Sequence, residues 1–327
     1  MKTKITEMLG IKYPIICGGM MRINYPPFCA AISNAGALGN LTSTMYAGKK
    51  ELQAAIREVR KLTDRPFNVT VTILPSMTVN FDQYRGYFEA CAEEKVPCME
   101  ISGLPLNRFD DGKYIKILKD AGVILFHKVG SVRHGKNAQR SGYDGVYAAG
   151  VEEGGHPNNE NVATTVLTPR LVEELTIPVV TTGGMANGRS LAAALCLGAE
   201  GIMMASRFIS TVECPVHDNV KRELIGRQEY ETALYGNSLG LQGRALINDS
   251  LVEIQKIEAR CGSLEECMPH MTGQHGDRIW KEGKTDKGLI NVGQSIGLIH
   301  DIPTCRELIE GIVKEAGEVL GQVKAKF

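Results

Sequence analysis

Eight short, largely apolar runs recur along the first two thirds of this chain. Each is followed by a segment of helical character, and that alternation limits the fold to a few architectures. The runs are YPIIC (13–17), ALGNL (37–41), NVTVTIL (68–74), PCMEIS (97–102), GVILFHK (122–128), DGVYAAG (144–150), VVTT (179–182) and IMMAS (202–206). Strands joined by helical crossovers pair in parallel, and a parallel sheet is covered on both faces, which suits runs that are apolar throughout. Eight such units favour closure into a barrel over an open sheet. The expected fold is α/β, a (β/α)8 TIM barrel over residues 1–212.

The chain has 327 residues, more than the roughly 250 of a minimal barrel. From His217 to about Asp286, helical stretches such as VKRELIGRQEYETALY and NDSLVEIQKIEAR stand with no clear strand among them. A small helical lid inserted after the eighth strand is therefore expected at 213–287, with closing helices at 288–327 returning to the barrel. Lys+Arg and Asp+Glu each number 37, so bulk charge attracts neither nucleic acid nor an anionic membrane. No apolar stretch has secretory or membrane-spanning length, which points to a cytoplasmic protein. Nine scattered cysteines form no C-x-x-C pair, and His270 and His275 lack the cysteines of a finger-type site, so no metal is expected. The expected partner is a small-molecule substrate, and a homodimer is the candidate assembly.

Catalytic groups on a barrel sit at the C-terminal ends of strands, and position ranks the candidates. VVTT runs into Gly183-Gly184, and IMMAS runs into Ala205-Ser206-Arg207-Phe208. The loops after the seventh and eighth strands, with a short extra helix, are the usual phosphate site of such barrels. Glycines there let backbone amides approach a ligand; the plainer alternative is a tight turn that needs glycine for its geometry. Gly18-Gly19-Met20, after the first run, reads the same two ways. Lys128 ends the fifth run and is either an ordinary strand-end lysine or a charge that neutralises phosphate or a reduced anionic ring. After the sixth run, Gly154, Gly155 and Pro157 place His156, which either donates a proton or hydrogen bond at neutral pH or is a solvated loop histidine. No G-x-G-x-x-G, P-loop, G-x-S-x-G or H-E-x-x-H motif is present.

GGM at 18–20, LTDRPF at 62–67, EEGGHP at 152–157, TTGGMANGRSLAAALCLGAEG at 181–201 and RFISTVECPVH at 207–217 resemble the nitronate monooxygenase (2-nitropropane dioxygenase) superfamily. That group also contains FMN-dependent enoyl-acyl-carrier-protein reductases and bacterial NADH:quinone reductases. The resemblance implies a barrel with a lid and bound FMN. It places Gly19 and Met20 against the flavin ring, Lys128 and Gly155 near the cofactor, and Gly183, Gly184, Ala205 and Ser206 in the phosphate loops. His156 matches the active-site histidine, and Gln294 in VGQSIG resembles a glutamine that some members place by the flavin. Thr70 departs from the asparagine of many relatives, and Ala205-Ser206 from the more usual Gly-Thr, a change that keeps an amide and a hydroxyl.

His156 followed by Pro157, Lys128 after His127 in FHKVGSVRH, and RFISTVECPVH look more like the NADH:quinone reductase branch. The reaction this implies is hydride transfer from NADH or NADPH to flavin N5, then to a quinone or an activated enone. His156 would hydrogen-bond or protonate the acceptor, and Lys128 would favour the anionic reduced flavin. The alternative is a nitronate monooxygenase oxidising alkyl nitronates with O2. Enoyl-acyl-carrier-protein reduction ranks third, because its partner would need a basic docking patch that a neutral sequence does not advertise. Lid side chains such as Tyr235 and Leu241 are expected to shape the pocket.

Overall fold

The computed structural model describes residues 1–74, 79–271 and 276–326. All eight runs form strands: β1 (Ile15–Cys17), β2 (Gly39–Thr42), β3 (Phe67–Ile73), β4 (Cys98–Gly103), β5 (Ile124–Val129), β6 (Gly145–Ala149), β7 (Val179–Thr182) and β8 (Gly201–Met204). They pair in parallel in the order β1-β8-β7-β6-β5-β4-β3-β2. Leu38, just before β2, bridges Ile16 of β1; its amide donates to the Ile15 carbonyl and its carbonyl accepts from Cys17, both at 2.9 Å. That bridge brings the two ends of the sheet together as a TIM barrel.

Strand periodicity decides what fills the barrel. Side chains alternate faces, so residues two apart share one. Ile16, Leu38, Cys98, Phe126, Tyr147, Val180 and Met203 form one buried cluster with Ile5, Leu9 and Ile11 from the N-terminal helix Lys4–Leu9 and the turn after it. Phe126 and Tyr147 stack there with centroids 4.9 Å apart. Leu125, Val146, Ala148 and Val179, one residue out of phase, pack in a second cluster with residues of the surrounding helices. Two residues further along the first phase stand Gly18, Glu100, Lys128, Thr182 and Ala205. The phase that is apolar low in the barrel thus turns polar toward the C-terminal ends of the strands.

The insertion after β8 is not wholly helical. The helix Asp218–Ile225 ends at Gly226, and TALY, expected as its continuation, is β9 (Thr232–Tyr235), paired antiparallel with β10 (Gly243–Leu246). Gly236 and Gly240, at φ +73° and +69°, allow the turn between them, and Thr, Leu and Tyr suit a half-buried strand once it has a partner. Helices Asp249–Ala259, Leu264–Met271 and Gly276–Trp280 follow; His275 lies outside the described residues. In the closing segment, GQSIGLIHD contributes only the single 3-10 turn Gln294–Leu298, before the helix Cys305–Lys324. The latter packs on the helix Gly188–Cys196, where a Cβ at Gly188 would lie 2.5 Å from the Ala316 amide nitrogen. Among the described residues no helix is long and apolar enough to cross a membrane.

Candidate active site

Two adjoining cavities occupy the C-terminal end of the barrel and share Thr72, Ser102 and Lys128. The narrow one, about 90 Å³, lies among Gly18, Gly19, Thr70, Glu100, Glu153, Gly154, Gly183, Gly184, Ala205, Ser206 and Gly293. The wide one, about 910 Å³, runs between the loops after β4, β5 and β6 and the turn of the lid hairpin at Gly240, Leu241 and Gln242.

Backbone makes most of the narrow cavity. Gly183 and Gly184 have φ +96° and +75°, in the left-handed region where a side chain is strained. Among the described residues, the amides of Gly184, Met185, Ala205 and Ser206 donate to no protein acceptor. The Ser206 hydroxyl accepts from the Gly293 amide at 3.0 Å, which leaves its own proton free to donate. Across the cavity, a Cβ on Gly19 would come within 2.8 Å of Thr70 Cγ2. Unspent amides, a free hydroxyl and bare glycines form a cradle suited to a phosphate and a flat ring, with no cation required at the phosphate.

The cavity floor is ionic and nearly dry. Lys128 Nζ lies 3.1 Å from Glu153 Oε1, with side-chain exposures of 19% and 8%. Glu100, the only acidic residue in the eight strands, is buried and accepts from Thr70 Oγ1 at 2.8 Å and Ser102 Oγ at 2.9 Å. Burial works against the Lys128 ammonium, but Glu153 and Glu100 outweigh it and hold its pKa above the ordinary lysine value. Burial pushes the Glu153 carboxyl up, and Lys128 only partly offsets this. Lys128 thus faces the cavity as a cation with two acidic side chains beside it.

His156 lines the wide cavity, and its Nδ1 lies 3.0 Å from the Gln242 carbonyl of the lid. A carbonyl only accepts, so Nδ1 carries the proton and Nε2 presents a lone pair. Although the residue is exposed, desolvation by the loops and hairpin around it, opposed by that hydrogen bond and reinforced by Lys128, lowers its pKa below the ordinary histidine value. The resting group is therefore a neutral imidazole, where the sequence suggests a ready proton donor.

Of the expected residues, Gly19, Thr70, Lys128, Gly183, Gly184, Ala205 and Ser206 line the narrow cavity together, and His156 meets Lys128 in the wide one. Three stand elsewhere. Met20 is buried in the cluster behind the first loop. Gly155 exchanges both backbone groups with Arg244 of β10, at 3.0 and 2.7 Å, so its amide is spent on holding the lid. Gln294 is represented by its neighbours Gly293 and Ser295, while its own amide donates to the Glu152 carbonyl at 2.9 Å. Leu241 lines the wide cavity, but Tyr235 is buried in the lid and donates to Asn291 Oδ1 at 3.2 Å. Sequence reasoning missed Glu100, Glu153 and Ser102; an acid inside the apolar run PCMEIS is the mark that points to the first. Among the described residues, no group of three or more His, Cys, Asp or Glu side chains could hold a metal.

In the wall of the wide cavity, His127 Nδ1 donates to the Ile101 carbonyl at 2.8 Å, and burial pushes the imidazole down to about 4. The unfolded chain takes up this proton near pH 6.5, the folded chain only near 4, so stability falls as pH drops through that window, by about 3 kcal/mol in all. We expect His127→Gln to flatten the acid limb of the stability curve by about one proton between those pH values. Urea unfolding of both proteins at pH 7 and pH 5 measures this, and equal losses of stability would contradict it.

A profile of the nitronate monooxygenase family matches residues 2–315. The chain is 32% identical to (3aS,4S,5R,7aS)-5-hydroxy-7a-methyl-1-oxo-octahydro-1H-indene-4-carboxyl-CoA dehydrogenase of Rhodococcus jostii, over 97% of this chain and 96% of that protein. It is 28% identical to a probable nitronate monooxygenase of Staphylococcus aureus, over 79% of this chain and 81% of that one. The structure of FabK from Thermotoga maritima superposes with a TM-score of 0.91 at 33% identity, with 100% of each chain covered.

Proposed function

The chain belongs to the nitronate monooxygenase family, and from that premise we propose that it is an FMN-dependent oxidoreductase exchanging a hydride between NADH or NADPH and an α,β-unsaturated acyl thioester. Flavin dependence goes with the family. The observation that carries the acceptor class is the wide cavity. It holds about 910 Å³ and joins charged and polar side chains, among them Arg108, Lys128, Arg133 and Arg140, to apolar surface from Leu74, Pro105, Pro157 and Leu241. A flat neutral quinone favours an apolar slot; a long polar carrier with a thioester at its tip favours this one. The Rhodococcus relative, named for a carboxyl-CoA compound, supports the same class.

FMN, when bound, supplies the two-electron exchange between the two substrates. The Gly184, Met185, Ala205 and Ser206 amides and the Ser206 hydroxyl would hold its phosphate. Lys128, shared by both cavities, would stabilise negative charge developing on a thioester oxygen. Saturating the double bond takes one hydride and one proton, and His156 Nε2 would carry the proton. Its low pKa makes the imidazolium a strong donor in reduction and leaves the neutral ring able to accept in the opposite direction.

On this reading, anaerobic NADH or NADPH bleaches the flavin absorption near about 450 nm, and an enoyl thioester restores it. His156→Ala should keep its flavin and bleach normally, while reoxidation by the thioester slows by about 100-fold or more. Bleaching by an alkyl nitronate but by neither nicotinamide would overturn the reading in favour of nitronate oxidation.

A further inference from the structure

Most arginines elsewhere in this chain sit against carboxylates, as Arg85 does with Asp82 and Asp110, and Arg227 with Glu223 and Glu231, and of the described exceptions Arg65, Arg222 and Arg244 none lines the wide cavity. Arg108, Arg133 and Arg140 differ. All three are exposed and line the wide cavity, and among the described residues none of them has a carboxylate within ion-pair distance. Among the described residues, Arg133 approaches only the His134 ring, at 3.4 Å, and the one acid lining the cavity, Glu160, is itself 3.6 Å from His134 Nδ1.

Their convergence is built in. Arg133, Asn137 and Arg140 are spaced i, i+4 and i+7 on the helix Val132–Arg140, hence on one face. Asn137 exchanges two 3.4 Å hydrogen bonds with Asn107, which ties the turn Leu106–Arg108, and Arg108 with it, alongside that face. Three guanidiniums held around one mouth repel one another unless an anion joins them, and planar forked donors match phosphate oxygens.

We propose that Arg108, Arg133 and Arg140 form a subsite for the phosphate-bearing tail of a nucleotide carrier, an adenosine bisphosphate of the kind that ends coenzyme A or NADPH. Three cations answer at least two phosphate groups, and about 910 Å³ accommodates a nucleotide. The inference rests on the function proposed above only in taking this cavity as the substrate path.

Titration calorimetry of the flavin-loaded protein with adenosine 3′,5′-bisphosphate, adenosine 2′,5′-bisphosphate and AMP tests it. We expect one bisphosphate to bind about tenfold or more tighter than AMP, with an affinity that falls as salt rises. The triple variant Arg108→Gln, Arg133→Gln, Arg140→Gln should lose that advantage and keep its flavin content. Preference for the 3′,5′ isomer assigns the tail to a coenzyme A thioester; preference for the 2′,5′ isomer assigns it to NADPH. Binding of both bisphosphates no tighter than AMP, or unchanged in the triple variant, overturns the proposal. So does a triple variant that fails only with an acyl carrier protein substrate, which would make the cluster a protein-docking surface. Equilibrium binding needs no turnover, so a protein that binds the bisphosphate but is not bleached by nicotinamide refutes the reaction and not the subsite.

Discussion

Gly184→Asp is expected to give a folded but colourless protein. The position has φ +75°, which aspartate and asparagine tolerate better than other side chains, and an added Cβ would meet nothing nearer than Glu152 Cβ at 3.8 Å. Sterics therefore leave the fold intact, and what changes is charge beside the unspent amides of the narrow cavity. Like unit charges about 4 Å apart repel by about 4 kcal/mol at an effective dielectric near 20, roughly a thousandfold in FMN affinity. Gly184→Asn has nearly the same shape without the charge and should keep most of its flavin. Fluorescence titration of the stripped proteins with FMN separates the two, and an aspartate variant that stays yellow would remove the phosphate from this loop.

Lys128→Met is expected to cost stability on a similar scale. The lysine is the cation between Glu153 and Glu100, and all three lie mostly out of solvent. Removing one partner of a buried pair leaves an uncompensated charge, typically a loss of about 3–5 kcal/mol. The double variant Lys128→Met, Glu153→Leu should recover a large part of that loss, because the stranded carboxylate goes with its partner. Denaturant unfolding across this cycle measures the coupling. A single-variant cost below about 1 kcal/mol would mean that solvent screens the pair as it does surface pairs.

The strands were legible because burial on both faces demands apolar residues in sequence, a local requirement that eight runs satisfy. The glycine pair after β7 was legible for a related reason, since left-handed backbone at Gly183 and Gly184 demands glycine. Lys128 and His156 could be placed at strand ends but not given a state. The partner that balances Lys128 sits 25 residues away in another loop, and the carbonyl that fixes the tautomer of His156 sits 86 residues away in the lid. The hairpin was missed because TALY has helical neighbours, and its strand character rests on pairing with GRAL across a turn. Arg133 and Arg140 share one face of their helix, and only the turn carrying Arg108, distant in sequence, makes that face a cluster.

The pairing of Gly155 with Arg244 has a mechanical consequence. Two backbone hydrogen bonds join the lid to the loop that carries His156, and the next residue of the lid toward its turn but one, Gln242, grips the imidazole itself. Hairpin and histidine therefore move as one body. A displacement that swung the hairpin outward would carry His156 away from the barrel, so opening the lid and holding the ring in place oppose each other along that coordinate. Through those bonds the insertion acts as a bracket that aims the ring.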